Sequence, residues 1–209
     1  TFATPVLQRP LALGADVVIH STTKFINGHG TVIGGALVCR DPDFMENGGG
    51  ALVRYIGAVP SAMDCWLTSI GLKTLPLRMR EHCANARALA EFLDSNDRVV
   101  RTHWPGLETH PQHEIAASQM DDFGAMISID MGDFDSATRL MDGLSMCSLA
   151  VSLGNVDTLV QHPASMTHRL MSEEDRLAVG ITNGMIRISA GIESAKDIIA
   201  DFDRAISGL

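Results

Sequence analysis

The chain has 209 residues, with 16 Lys and Arg against 25 Asp and Glu, a formal net charge of −9 and 45% hydrophobic residues. This length can bury a sizeable core in one or two domains. The acidic balance, without any basic cluster, disfavours a nucleic-acid partner. The longest stretch without charged side chains, residues 25–39, is too short and too interrupted by glycine to span a membrane.

The start of the chain and its cysteines point to a cytoplasmic protein. No basic start with an apolar run opens the sequence, so we expect no signal peptide. Because Thr1 is not an initiator Met, we expect a fragment or a processed product. Cys39, Cys65, Cys83 and Cys147 are widely spaced and form no CxxC pair. This pattern disfavours a disulfide framework or a zinc ribbon and favours a reducing compartment.

The first quarter of the chain predicts two strands joined by polar turns. Residues 16–21 form a β-branched run bounded by turn formers, which is typical of a strand buried on both faces. Turns at 21–24 and 27–30 follow, and then a second apolar run at 32–39. The Asn-Gly-Gly-Gly sequence at 47–50 predicts a flexible loop.

A long helix is predicted from Ser61 to about Leu93. Pro76 should kink this helix or divide it in two. We expect the helix to bridge two domains. Apolar residues recur at steps of three and four, at Leu75, Met79, Cys83, Ala86, Ala90 and Leu93. The charged residues Arg78, Arg80, Glu81 and Glu91 are predicted to lie on other faces.

The rest of the chain alternates predicted strands and helices, which indicates an α/β fold with a small C-terminal sheet covered by helices. Ser172 is expected to cap one of the helices. The predicted strands or extended runs are 99–103, 125–131, 145–153 and 185–190, and the other predicted helices are 134–144 and 194–206. In the run at 125–131, Ile127, Ile129 and Met131 should face the core, opposite Ser128 and Asp130.

Lys24 is the first candidate for chemistry. It follows a predicted buried strand, has Ser21 and Thr23 within three positions, and precedes a glycine-rich turn. Partial desolvation of a lysine there would free its amine as a nucleophile toward carbonyls. Hydroxyls and glycine amides nearby are suited to holding a phosphate. A solvated loop lysine is the more common outcome for such a pattern alone.

Arg187 is the second candidate, because it lies mid-strand between two isoleucines, where an unpaired charge is costly. Its guanidinium suits a carboxylate in two-pronged geometry, and that carboxylate is either internal or part of a ligand. Among the histidines, His110 and His113 lack a further ligand at metal-site spacing, so we expect no metal site. His162 and His168 are expected to make structural hydrogen bonds.

Several motifs in order along nearly the whole chain resemble those of the Cys/Met-metabolism enzymes that use pyridoxal phosphate. This group contains methionine γ-lyase, cystathionine γ-lyase, cystathionine γ-synthase and the homoserine-ester sulfhydrylases. The motifs are TFATP at 1–5, LGAD at 13–16, HSTTK at 20–24, NGHG at 27–30, GLKTL at 71–75, SLG at 152–154, HPASMTH at 162–168 and RISAG at 187–191.

The resemblance implies roles for matching residues. Lys24 would form the Schiff base with pyridoxal 5′-phosphate and later move protons between substrate carbons, while Ser21 and Thr23 would hold the cofactor phosphate. Arg187 and Ser152 would bind the α-carboxylate of an amino-acid substrate, with Thr167 near the same pocket. The cofactor acts as the electron sink, and the protein orients it.

The resemblance also implies a fold and an assembly. The fold is that of a fold-type I pyridoxal-phosphate-dependent transferase, with the end of the large cofactor domain at 1–60 and the linking helix and small α/β domain at 61–209. Chains of the family are roughly twice this length, so this one resembles the C-terminal half and is expected to be inactive alone. The family's shared active sites imply a homo-oligomer, a dimer of dimers.

The residue before the SLG motif separates the family's activities. Cystathionine-handling enzymes commonly carry glutamate there, whereas Val151, with Leu149 and Ala150, resembles methionine γ-lyase. Residues 56–61 instead resemble cystathionine γ-lyase or γ-synthase, and Val53-Arg54 replaces a Lys-Asp pair frequent in methionine γ-lyases. We favour γ-elimination to a thiol, ammonia and 2-oxobutanoate. Cystathionine γ-lyase, cystathionine γ-synthase, a homoserine-ester sulfhydrylase and a non-catalytic half remain alternatives.

Overall fold

The longest element is helix α3, Ala62–Asp94, in a computed structural model that describes residues 1–209. Its start is fixed by a capping box, in which the Asp64 amide donates to Ser61 Oγ at 3.1 Å and the Ser61 amide donates to Asp64 Oδ2 at 3.2 Å. The predicted long helix is confirmed, but it is not divided at Pro76. Proline has no backbone N–H, so one hydrogen bond of the helix is missing at Pro76. The helix continues because its buried face runs without interruption from Leu75 to Met79 and Cys83.

Seven strands and seven α-helices make up the chain. The strands are β1 Val17–Ser21, β2 Gly35–Cys39, β3 Arg101–His103, β4 Met126–Asp130, β5 Ser148–Leu149, β6 Leu159–Gln161 and β7 Met185–Ser189. The helices besides α3 are α1 Thr4–Leu7, α2 Gly50–Ile56, α4 His113–Gln119, α5 Phe134–Gly143, α6 Glu173–Ala178 and α7 Ala195–Ser207. No helix is both long and apolar enough to cross a membrane.

The C-terminal part is built on a five-stranded sheet in the order β3-β4-β7-β6-β5. All pairs are antiparallel except β5 with β6. Ile127 pairs with Ile188 across β4 and β7, and both are fully buried. Helix α3 packs on β4, α5 packs on β7, and α7 packs on α3 and α5. The predicted alternation in β4 is confirmed. The domain boundary between 60 and 61 stays a prediction.

The first two strands form a separate antiparallel ribbon, with Val17 opposite Cys39 and Ser21 opposite Gly35. The prediction that this strand is buried on both faces is wrong for this chain, because Ile19 is 72% exposed and Leu37 is also exposed. No further strand lies beside the ribbon, and apolar side chains therefore remain uncovered on it.

Two other sequence predictions are corrected. The glycine run at 47–50 is not a loop, since a helical turn at Phe44–Gly49 leads directly into α2. Within that turn the Asn47 side-chain Nδ2 donates to Asp43 Oδ1 at 2.7 Å. The extended run at 145–153 contains only the short strand β5. The carboxylate of Asp201 accepts the amides of residues 145, 146 and 147, so these amides make no ladder bonds.

Candidate active site

Lys24 lies in a tight turn, Thr22–Ile26, directly after β1. Its backbone departs from helical geometry, with φ −89° and ψ −137°, while the residues around it remain turned. The Asn27 amide donates to the Thr22 carbonyl at 3.0 Å, and the Gly28 amide donates to the Lys24 carbonyl at 2.8 Å. The turn therefore closes on itself and presents a half-buried lysine side chain.

The amine of Lys24 donates to the hydroxyl of Ser152 at 3.4 Å. The backbone around Ser152 packs directly on the lysine turn, since the Val156 amide donates to the Gly28 carbonyl at 2.9 Å. Gly154 has φ +75°, and a Cβ there would lie 2.6 Å from the Phe25 nitrogen. Only glycine permits this approach, which explains why the SLG motif ends in glycine.

Arg187 reaches the same segment from β7. Its Nη2 donates to the carbonyl of Ser152 at 3.0 Å and to that of Val151 at 3.4 Å. Burial lowers the pKa of this guanidinium, and the three ion pairs of the chain, at Arg9, Arg87 and Arg204, do not include it. The sequence left open whether Arg187 binds a carboxylate of the chain or one of a ligand. No carboxylate of the chain pairs with it. A half-buried cation without a carboxylate suits an anionic ligand.

Thr167 is connected to Arg187 only through a third residue. Gln161, which is 1% exposed, donates from Nε2 to Thr167 Oγ1 at 3.0 Å. Gln161 and Arg187 are direct cross-strand partners, so their side chains lie on the same face of the sheet. The Thr167 hydroxyl also contacts His168 Nδ1 at 2.9 Å.

Ser21 directly precedes the lysine turn and Thr23 lies within it, and both are half-buried. The Thr23 hydroxyl is partnered within the chain, because it accepts from the Gly34 amide at 2.9 Å and donates to the Gly34 carbonyl at 3.3 Å. The Ser21 amide donates to Thr1 Oγ1 at 2.9 Å, and its hydroxyl makes no hydrogen bond in the chain. The free Ser21 hydroxyl beside a half-buried amine fits a phosphate-bearing carbonyl compound, and the Thr23 hydroxyl can donate to the same phosphate once it releases the Gly34 carbonyl.

His162 and His113 make hydrogen bonds that hold the fold together. His162 contacts Ser165 Oγ and the Asn183 carbonyl, each at 2.8 Å, as expected for a structural histidine. His113 Nδ1 contacts the Pro105 carbonyl at 2.8 Å, and no group of three or more potential ligands is placed to hold a metal ion. An open cleft of about 610 Å³ lies between residues 32–36 and the first turns of α3. Thr22 of the lysine turn lines it, whereas Lys24, Ser152 and Arg187 do not.

Two side chains near the lysine were missed from the sequence. Arg78, predicted to lie on an outer face, is only 5% exposed and contacts the Lys24 turn, whereas Arg80, Glu81 and Glu91 are exposed as predicted. His82 is fully buried and packs edge-on against Phe25, with ring centroids 5.1 Å apart. The sequence did indicate their burial, because residues three positions apart lie on the same face of a helix. Arg78 follows the buried Leu75 by three positions, and His82 follows the buried Met79 by three.

Residues 1–207 match the family of Cys/Met metabolism PLP-dependent enzymes. The chain belongs to this family. Its members are enzymes that use pyridoxal phosphate, so the family, the α/β fold class and the cofactor predicted from the motifs are confirmed. The chemistry of the residues around Lys24 fits that cofactor, since an amine can react with its carbonyl and hydroxyls can donate to its phosphate.

Similar proteins in the family have several activities. The L-methionine gamma-lyase of Fusobacterium nucleatum subsp. polymorphum is 49% identical over 213 residues, which cover 99% of this chain and 52% of the relative. The cystathionine beta-lyase of Lactococcus lactis subsp. cremoris is 45% identical and covers 99% of this chain and 54% of the relative.

Among solved structures, a cystathionine gamma-lyase from Micromonospora echinospora superposes with a TM-score of 0.95 at 48% identity. The match covers 100% of this chain and 55% of that chain. The chain thus spans about half the length of the relatives it matches.

Proposed function

We propose that the protein is a pyridoxal-phosphate-dependent carbon–sulfur lyase that eliminates at the γ-carbon of a sulfur amino acid, with methionine as the favoured substrate. The observation that carries the proposal is the connected series of an amine, a hydroxyl and a guanidinium at Lys24, Ser152 and Arg187. These groups come from three distant segments of the chain, and neither the lysine nor the arginine forms an ion pair with an Asp or Glu of the chain.

Each residue has a distinct proposed task. The Arg187 guanidinium and the Ser152 hydroxyl bind the substrate α-carboxylate, with Thr167 held nearby by Gln161. The hydroxyls of Ser21 and Thr23 bind the cofactor phosphate. Lys24 Nζ attaches the cofactor and then carries a proton from the substrate α-carbon. When bound, pyridoxal phosphate withdraws electrons from that carbon.

Methionine is preferred over cystathionine because of Val151. This residue is exposed beside the Arg187 contact and offers an apolar side chain at the position where cystathionine-handling enzymes commonly carry glutamate. An apolar residue there suits a thioether without a second charged end. The second candidate is a cystathionine lyase or γ-synthase, which the cystathionine-named relatives support. A homoserine-ester sulfhydrylase is a further alternative.

The first experiment traps the cofactor on the complete gene product that contains residues 1–209. The protein is incubated with pyridoxal phosphate, reduced with borohydride and mapped by peptide mass spectrometry. The lysines of the chain are Lys24, Lys73 and Lys196, and the latter two are exposed internal controls. We expect the adduct at Lys24. Labelling of Lys73 and Lys196 alone would contradict the proposal and favour the non-catalytic alternative.

Substrate assignment follows from products. Methionine should give methanethiol, ammonia and 2-oxobutanoate, and homocysteine should give hydrogen sulfide in place of the thiol. Cystathionine turnover with no reaction on methionine would favour the second candidate. Consumption of a homoserine ester together with a thiol would favour the sulfhydrylase. Repeating the trapping experiment on residues 1–209 alone tests whether this half holds the cofactor without the rest of the protein.

We also propose a cytoplasmic homo-oligomer, a dimer of dimers. All four cysteines are free thiols, which suits a reducing compartment. Large apolar side chains remain exposed around α2 and the turn after Val32, with Tyr55 81%, Ile56 77% and Ile33 91% exposed. Such a surface suits burial against further protein. Light scattering of the complete protein measures its mass and tests this assembly.

A further inference from the structure

Arg78 on α3 is an almost fully buried cation that makes no ion pair. Its Nη1 donates to the Phe25 carbonyl at 2.7 Å, and its Nη2 donates to the Ile26 carbonyl at 3.2 Å and to the Gly71 carbonyl at 2.8 Å. Its Nε donates to Thr74 Oγ1 at 3.0 Å. The guanidinium is therefore satisfied by neutral oxygens, chiefly of the backbone.

The carbonyls of Phe25 and Ile26, the two residues after Lys24, depend on this arginine. No backbone amide donates to either of them. A buried carbonyl without a donor is costly, and charge-assisted hydrogen bonds are about twice as strong as neutral ones. Arg78 thus supplies the donors for the two carbonyls immediately after Lys24.

Two glycines make room for this contact from opposite sides. A Cβ at Gly28, which has φ +71°, would lie 2.0 Å from Arg78 Nη1. A Cβ at Gly71 would lie 2.2 Å from the carbonyl oxygen of Asn27. The helix and the lysine turn are therefore fitted to each other with the guanidinium between them.

We propose that Arg78 is a positioning residue that holds the Lys24 turn so that the lysine amine faces Ser152. This inference rests on the proposed role of Lys24. The fork of the guanidinium bridges two successive carbonyls after Lys24 and anchors them to the helix. Lysine at this position keeps the charge but has no planar fork and cannot make the same set of bonds.

The first test needs no cofactor and measures hydrogen exchange in residues 22–28. The variants are Arg78→Lys and Arg78→Met, with Arg80→Met as the matched control because Arg80 is exposed on the same helix. We expect the amides of Asn27 and Gly28 to exchange about tenfold faster in Arg78→Met, less so in Arg78→Lys, and unchanged in the control. Unchanged exchange in both Arg78 variants would overturn the proposal.

The second test asks whether the effect reaches the amine. After borohydride trapping, the ratio of the adduct at Lys24 to adducts at Lys73 and Lys196 should fall about tenfold in Arg78→Met, measured at a temperature at which the variant is still fully folded. In Arg78→Ala, millimolar guanidinium chloride should restore the ratio, whereas sodium chloride at equal ionic strength should not. A ratio equal to that of the parent protein in Arg78→Met would contradict the positioning role.

The outcomes separate this inference from the proposed function. If the parent protein itself gives no adduct at Lys24, the proposed function fails, while the exchange data still decide whether Arg78 holds the turn. If Arg78→Met does not fold, Arg78→Lys decides. Loss of the whole fold in Arg78→Lys as well would assign Arg78 a purely structural role and overturn the proposal.

Discussion

The Lys24 amine lies 3.4 Å from the Ser152 hydroxyl, although 128 positions separate the two residues. The contact joins the turn after β1 to the segment between β5 and β6, and Gly154 allows the two backbones to approach. The Ser152 carbonyl in turn accepts from Arg187. Ser152 thereby links the lysine amine with the cation proposed to bind the substrate.

Replacement of Ser152 by alanine tests its proposed contact with the substrate carboxylate. The change removes one hydroxyl and leaves the carbonyl that accepts from Arg187 in place. We expect KM for the amino acid to rise about fivefold, because a hydrogen bond of this kind contributes about 1 kcal/mol, with a smaller effect on kcat. Steady-state kinetics measure this, with Ser148→Ala, an exposed serine of β5, as the control. An unchanged KM would remove Ser152 from the substrate site.

Replacement of Arg187 by lysine tests the two-pronged binding of the carboxylate. Lysine keeps the charge but loses the planar fork, so we expect KM to rise about 10- to 100-fold. Because Arg187 makes no ion pair within the chain, the melting temperature should change little. Kinetics and thermal unfolding are measured on the same preparation. A large loss of stability at unchanged KM would mean that Arg187 serves the fold.

Replacement of Gly71 by alanine should destabilise the protein although alanine is the better helix former. Helix propensity favours alanine by about 1 kcal/mol. The added Cβ would lie 2.2 Å from the Asn27 carbonyl oxygen, and such overpacking costs about 1–3 kcal/mol. The difference is a net loss of up to about 2 kcal/mol in the free energy of unfolding, and we expect the upper end because the clash is with backbone. Urea unfolding measures it, with Gly208→Ala as the control because its nearest atom would lie at 3.6 Å. A stabilised Gly71→Ala variant would show that the turn can move away.

His82 should make stability depend on pH. Burial lowers the pKa of its imidazole from 6.5 to about 4. Between these values the unfolded chain is protonated at this site and the folded one is not, so stability rises with pH across this window. The difference corresponds to about 3 kcal/mol, which is lost on acidification from about pH 6.5 to about pH 4.

The measurement compares urea unfolding of the parent and of His82→Gln at several pH values. Glutamine keeps an N–H donor for the Ala190 carbonyl, which His82 Nδ1 contacts at 2.7 Å, but does not titrate. We expect a flatter pH dependence in this variant and no change in His29→Gln, an exposed control. If the free energy of unfolding depends on pH equally in the parent and in His82→Gln, then His82 can be protonated in the folded protein without loss of stability.

The regular elements could be predicted from the sequence where local patterns agree with their surroundings. The alternation in β4 and the period of α3 follow from which residues are apolar, and the Ser172 cap follows from short-range hydrogen bonding. The glycine run at 47–50 was predicted wrongly. There, contacts with neighbouring residues outweigh the low helix propensity of glycine.

The sequence by itself determined the family, the cofactor and Lys24, Ser152 and Arg187 as the candidate site, because motif order and residue type are local properties of the chain. Only the tertiary structure decided that Arg187 lacks an internal carboxylate and that Arg78 is buried against the lysine turn. The physical reason is that charge pairing and burial depend on residues distant in sequence. No local pattern specifies which carbonyl a guanidinium reaches once the chain has folded.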